Sequence, residues 1–205
     1  MFNHIPTLQK LLQLSKKIPY VPSKHLYHLV EYILKNQNND LEDFFNEILI
    51  LKNKLITCDN CYSWREKNID CYWCHSNRDQ TTLCIVETWI DALALERGKI
   101  FQGIYHILGG NVSPLDGITP DQLHFEKLTE RIDNLPLLEI IIATNQTPEG
   151  EATASYIERI ISKCNKKNIT ISYLATGIPV GTSLEYVDKL TIAKAISFRR
   201  KINNS

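Results

Sequence analysis

Four of the six cysteines fall in one stretch, "CDNCYSWREKNIDCYWC", as Cys58, Cys61, Cys71 and Cys74. The spacing is C-x2-C, nine residues, then C-x2-C. Two thiolates on one tight turn reach the same ion, and two such turns complete a tetrahedron of soft donors, the set that zinc takes. The set leaves no open coordination position, so the zinc it predicts is structural, not catalytic. The competing chemistry, a pair of redox dithiols, needs each pair at a helix start beside a strand, which the flanking residues do not suggest. His75 follows Cys74 directly and reads as a surface residue, not a fifth donor. Cys84 and Cys164 read as a small core residue and a residue near a helix end. A finger with nine residues between its knuckles has no core of its own. Its metal is therefore expected to clip the blocks on either side of it together.

A second group carries charge suited to harder chemistry. Glu87 ends the apolar run "LCIVE", and Asn145, Thr147, Glu149 and Glu151 lie in "ATNQTPEGEAT" after the most apolar run of the chain, "LEIIIAT". In parallel α/β sheets, chemistry collects at the carboxyl ends of strands. Hard Mg2+ takes carboxylates there and organises phosphate oxygens. This pairing resembles the Toprim domain of topoisomerases, primases and certain nucleases. The resemblance implies a Glu after the first strand and a D-x-D after a later one as the Mg2+ ligands. Glu87 is in place, but the D-x-D positions are Asn145 and Thr147. With Glu149 and Glu151 the remaining carboxylates are expected to give weak Mg2+ binding and no strong two-metal clamp.

These groups need elements to hold them. Residues 1–55 read as helical: Ile5, Leu8, Leu11 and Leu12 keep helical spacing. Ser23 is a candidate cap for a second helix, and Asp40 for a third with Leu41, Phe44, Phe45, Ile48 and Leu49 inward. Two prolines in "KKIPYVPSKH" force a tight turn between the first two helices. From residue 82 apolar runs at 83–87, 104–108, 138–144 and 169–175 alternate with helical stretches. That pattern predicts a parallel sheet with covering helices. Thr119-Pro120 is expected to start a helix running through Ile132. The fold class is therefore α+β in several parts: a helical block at 1–55, a four-cysteine finger at 58–74, an α/β domain at 82–177 and a short, helical C-terminal segment at 178–205.

The chain has 205 residues, 43% hydrophobic and 22% charged, a globular composition. No apolar run approaches the roughly 20 residues of a membrane span, and the first residues lack the charge order of a secretory signal. A cytoplasmic location, which keeps thiols reduced, is expected. Net charge is zero but unevenly spread: residues 1–35 carry +4, residues 189–205 carry +5, and residues 81–188 carry −6. A nucleic-acid partner would meet the ends of the chain.

The order of parts, with "IVETWIDALALE", "GGNVSPLDGI", "ATNQTPEGEATASYI" and "ATGIPVGTSLEYVDKLT", resembles the RecR family of bacterial recombination mediators over nearly all 205 residues. The resemblance implies a helix-hairpin-helix, a four-cysteine zinc finger, a Toprim domain and a C-terminal segment. It implies a non-enzymatic protein that works with RecO, and in some pathways RecF, to load a recombinase on single-stranded DNA. It also implies homo-oligomers, ring-like tetramers that surround DNA. The family hairpin reads L-P-G-[IV]-G-x-K. Here it is Ile18-Pro19-Tyr20-Val21-Pro22-Ser23-Lys24, with both glycines replaced, and His28 stands where the family has an Arg. Lys24, flanked by Lys16, Lys17 and His28, is the expected contact for phosphate, independent of sequence. The alternatives are a Mg2+-dependent Toprim nuclease or primase-like enzyme using Glu87, Glu149 and Glu151, and an adaptor without DNA contact.

Overall fold

The computed structural model describes residues 5–36, 38–75, 77–99, 101–164, 166 and 168–199. The chain divides into two compact units, Met1–Leu55 and Ile56–Ser205.

The first unit holds α1 (Pro6–Ser15), α2 (Ser23–Lys35) and α3 (Asn38–Lys54). Among its described residues the buried apolar ones are Leu12, Leu26 and Val30. Helix α2 starts at Ser23 itself, with Pro22 in the cap position and no side-chain cap. Asp40, the expected cap, is instead the third residue of α3, inside its first turn. Of the five apolar residues expected to face inward on α3, Leu41 is half-buried and Phe44, Phe45, Ile48 and Leu49 are exposed. Phe44, Phe45 and Ile48 line, with Leu11, Ile18 and Tyr32, an open groove. The helical period of α3 was legible, but period fixes a face and not what covers it.

The second unit contains a four-stranded sheet in the order β4-β3-β5-β6. Its strands are β3 (Asp79–Val86), β4 (Gly103–Ile107), β5 (Glu139–Ala143) and β6 (Thr170–Tyr173), all parallel. Alternation along β3 sends Leu83 and Ile85 to one face and Cys84 and Val86 to the other. The first face packs against α5 (Phe125–Asn134) and α6 (Pro148–Lys163) through Leu128, Ile132, Ile157 and Ile161. The second meets Ala92 of α4 (Trp89–Arg97) and, from the cysteine stretch, Tyr62 and Trp73. Helix α7 (Lys189–Ser197) is the last helix among the described residues.

One expected element differs. Thr119 and Gln122 form a capping box around a single 3-10 turn, Pro120–Gln122, and α5 starts only at Phe125. Between them the chain returns to the sheet, where His124 N–H donates to Leu108 O at 3.0 Å. That bond stops the turn from running on into a helix.

Strand β4 is an edge strand, and edges left open invite other strands. Three groups close it. Arg78 Nε donates to Gly103 O (2.7 Å), Arg131 Nη1 to Tyr105 O (2.7 Å), and Ile107 N–H to Cys61 O (2.9 Å). Between these residues His106 is fully buried, and its Nε2–H donates to His124 O at 2.9 Å. Burial, and then the Arg131 charge, push its pKa down to about 3. The unfolded chain takes up this proton near pH 6.5. The folded state resists it, so stability is present above pH 6.5 and is lost as pH falls toward 3. Between pH 6.5 and 5 this one group should remove about 2 kcal/mol of unfolding free energy. Urea titrations across that range test it: His106→Gln, which stays neutral, should fall less steeply than wild type by about that amount. Parallel curves would rule the assignment out.

Candidate functional site

The cysteine stretch is built on strand β1 (Leu55–Thr57), paired with β2 (Trp64–Glu66), and on a 3-10 turn at Tyr72–Cys74. The first knuckle closes with Tyr62 N–H donating to Cys58 O at 2.9 Å and Cys58 N–H to Ser63 O at 2.8 Å. Tyr62 adopts φ 62° to make that turn. The four sulfurs converge, every pair within 4.8 Å. Cys58 and Cys74 Sγ are 3.6 Å apart, and Cys61 and Cys71 Sγ 3.4 Å. A tetrahedron with metal–sulfur arms of ~2.3 Å has edges of about 3.8 Å, so the donor set fits one metal ion. Thiolates select soft or borderline metals such as zinc.

Hydrogen bonding from Cys61 holds Cys58 down to about 6, and bonding from Cys58 pulls Cys71 below the ordinary thiol range. Cys61 and Cys74 are pushed up, chiefly by Cys58, and keep the protons. A metal ion would displace them, so its affinity falls as pH falls. His75 lies outside the set: its Nε2 is 3.4 Å from Asp70 Oδ2. Cys84 is buried in β3 and Cys164 caps α6. Ser63, missed in the sequence, is buried, with Oγ 3.2 Å from both Cys61 and Cys71 Sγ.

The finger lacks a core of its own, and the sheet supplies one. Tyr62 stacks on His124 with ring centroids 3.5 Å apart, and Trp73 packs on Tyr105 at 5.3 Å. With the Cys61–Ile107 bond, these contacts lay the metal-binding turn along the β4 edge.

The acidic residues behave differently. Glu87 follows β3 and is 2% exposed. Its Oε1 accepts from Asn145 N–H at 2.7 Å, and its Oε2 from Asn145 Nδ2 at 2.9 Å and Asn111 Nδ2 at 3.2 Å. The carboxylate is thus satisfied by this chain's own donors. Asn145, which the resemblance sets at a D-x-D position, is here a double donor. Asn111 was not singled out in the sequence, although it sits in the "GGNVSPLDGI" loop. A Cβ at Gly150 would lie 2.0 Å from Asn145 O and 2.9 Å from Glu87 Oε1, so α6 begins against this pair. Thr147 caps α6, accepting from Gly150 N–H at 3.1 Å. Glu149 is half-buried in the first turn. Glu151 is exposed and pairs with Lys194 of α7 at 3.0 Å. The structure therefore brings Glu87 and Asn145 together and turns Thr147 and Glu151 to other partners.

Lys16, Lys17, Lys24 and His28 are all exposed around the α1–α2 turn. Lys24 is the second residue of α2, and His28 Nδ1 sits 3.8 Å from Glu31. Tyr20, where the resemblance expects a glycine, holds φ 62° and is fully exposed. The backbone keeps a left-handed turn that glycine adopts without strain. Arg200 and Lys201 of the basic C-terminal segment lie outside the described residues.

No helix among the described residues is long and apolar enough to cross a membrane. Residues 81–175 match the family model of the Toprim domain, and residues 177–200 that of RecR, C-terminal. The chain is 37% identical to recombination protein RecR of Magnetococcus marinus over 202 residues, covering 98% of this chain and 100% of that one. It is 39% identical to recombination protein RecR of Geotalea uraniireducens over 196 residues, covering 96% and 97%. The counterpart in Tropheryma whipplei is 35% identical over 201 residues, covering 98% and 100%. With likeness running the length of both chains, and Toprim and RecR models meeting near residue 176, this chain belongs to the RecR family.

Proposed function

We propose that the chain is a non-catalytic, DNA-binding mediator of recombinational repair in the cytoplasm, acting with RecO and, in some pathways, RecF. The observation that carries this is the Glu87–Asn145 pair within a chain alike to RecR proteins end to end. A site whose buried carboxylate faces the amides of Asn145 and Asn111, with uncharged Asn145 and Thr147 in place of further carboxylates, has too little negative charge to gather Mg2+. Lys194 on Glu151 removes another free carboxylate. In this reading the parts are the helix-hairpin-helix at 1–55, the finger at 58–74, the Toprim domain at 82–177 and the C-terminal segment at 178–205. The finger holds one structural zinc through Cys58, Cys61, Cys71 and Cys74. DNA is met at the α1–α2 turn by Lys24, with Lys16, Lys17 and His28 beside it. Lys24 stands at a helix N-terminus, where backbone N–H groups already favour phosphate. Few phosphate pairs per chain suffice if several chains encircle DNA as a homo-oligomeric ring, because linked weak sites gain effective concentration.

The test is a salt titration of wild type and Lys24→Ala on two unrelated duplexes. Lys24→Ala should weaken both about equally, and each lysine–phosphate pair removed should shallow the log–log salt slope by roughly one unit. Tight wild-type binding with an unchanged slope in the variant would move the DNA surface elsewhere. Metal-dependent nicking by the wild type, abolished in Glu87→Ala, would replace the mediator with the nuclease reading.

A further inference from the structure

Two arginines are buried along the β4 edge, and they are neutralised differently. Arg78, with its side chain 8% exposed, meets Glu96 through paired bonds of 2.9 and 3.1 Å. Arg131, 7% exposed, reaches the same edge from α5. Its Nη1 donates to Tyr105 O at 2.7 Å and to His106 Nδ1 at 3.2 Å, and both acceptors are neutral. Among the described residues no carboxylate pairs with it. A guanidinium taken out of water without an opposing charge is strongly disfavoured.

The surroundings offer one candidate. Arg131 lines a small cleft with Asn60 and Cys74 of the finger. The carboxylate at that cleft, Glu130, is already bonded to Lys127 at 2.7 Å. Four thiolates around one divalent ion carry a net charge of −2 and sit beside the same strand edge.

We infer that Arg131 is the counter-cation of the metal–tetrathiolate centre: the α/β domain lends the finger a buried positive charge, and the loaded finger lets α5 carry that charge. The inference rests on the reading that the four cysteines hold zinc. It makes metal retention a property of the Toprim helix as well as of the four ligands. Partners outside the ligand shell of a metal commonly change its affinity by about 10–100-fold.

The experiment follows zinc transfer from the purified full chain to the chromophoric chelator 4-(2-pyridylazo)resorcinol at neutral pH. Arg131→Met should release zinc about tenfold faster than wild type, and Arg131→Lys, which keeps the charge, should lie nearer wild type. Ile132→Ala, a cavity in the same helix, serves as the control for lost stability and should release at the wild-type rate. If Arg131→Met does not fold, Arg131→Gln against Arg131→Lys makes the same comparison. A zinc-loaded wild type whose Arg131→Met variant releases no faster overturns the counter-cation. So does Ile132→Ala releasing as fast as Arg131→Met, or Arg131→Lys releasing as fast as Arg131→Met. A wild type that carries no zinc after refolding with it overturns the metal reading itself, and the counter-cation with it.

Discussion

Cys61→Ser should strip the chain of stoichiometric metal and lower its unfolding free energy by at least about 4 kcal/mol, a loss typical of a removed metal site. Cys61 is fully buried, and its carbonyl holds the N–H of Ile107 on the β4 edge. The next residue, Tyr62, is stacked on His124. Losing the metal therefore loosens the backbone bond and the ring stack that cover the sheet, as well as the turn around the ion. In isolated zinc modules the metal contributes on the order of 10–16 kcal/mol to folding. A domain commonly has only about 5–15 kcal/mol in total. Insoluble or loosely packed Cys61→Ser protein is the expected outcome. Elemental analysis and thermal unfolding check it, and a strong chelator added to wild type should reproduce the destabilisation. Cys164→Ser, at the end of α6, should keep its metal and its melting temperature. Chain refolded without zinc that melts where the loaded chain melts would show that the metal does not hold this fold.

What the sequence made legible follows from what each signal depends on. The convergence of the four cysteines was readable because their spacing is local: each knuckle is set by a short backbone segment and one tight turn. The strands were readable because a buried parallel strand is apolar on both faces, as "LEIIIAT" is. Partners that meet across the fold were not readable. Ser63 lies two residues past a cysteine, but only the folded turn aims its hydroxyl at two sulfurs. Asn111 is 24 residues from Glu87 and Arg131 is 25 from His106. The face of α3 was misjudged for a related reason, since an amphipathic pattern does not say what will cover it. The 3-10 turn at Pro120 was missed because Thr-Pro signals a start without fixing how many turns follow. The likeness to RecR gave the order of parts, yet the roles of Asn145 and Thr147 came from their bonds. One donates to Glu87, and the other caps a helix.

Those two roles lead to opposite expectations for restoring the acidic motif. Thr147→Asp should be nearly neutral for stability. Asp is as good a cap as Thr, and its charge favours the N-terminus of α6. Asn145→Asp is different. It removes the 2.9 Å bond from Nδ2 to Glu87 and sets a second carboxylate against one that is 2% exposed. Two like charges at about 3 Å repel by about 5 kcal/mol at an effective dielectric of about 20. Because Asn145 itself is exposed, water screens part of that, and a net loss of about 2 kcal/mol is expected. For a chain of this size such a loss lowers the melting temperature by about 4–8 °C. Millimolar Mg2+ should then restore several degrees to Asn145→Asp, because a divalent cation between two carboxylates relieves the repulsion. Wild type should shift by no more than about one degree, since its Glu87 is already occupied by amide donors. The double variant should bind Mg2+ more tightly still, and Lys194→Ala on top of it should add a further gain by freeing Glu151. Thermal melts of these proteins with and without Mg2+ make the comparison. If Mg2+ raises the wild-type melting temperature as much as that of Asn145→Asp, the buried glutamate is a metal ligand after all, and the non-catalytic reading loses its ground.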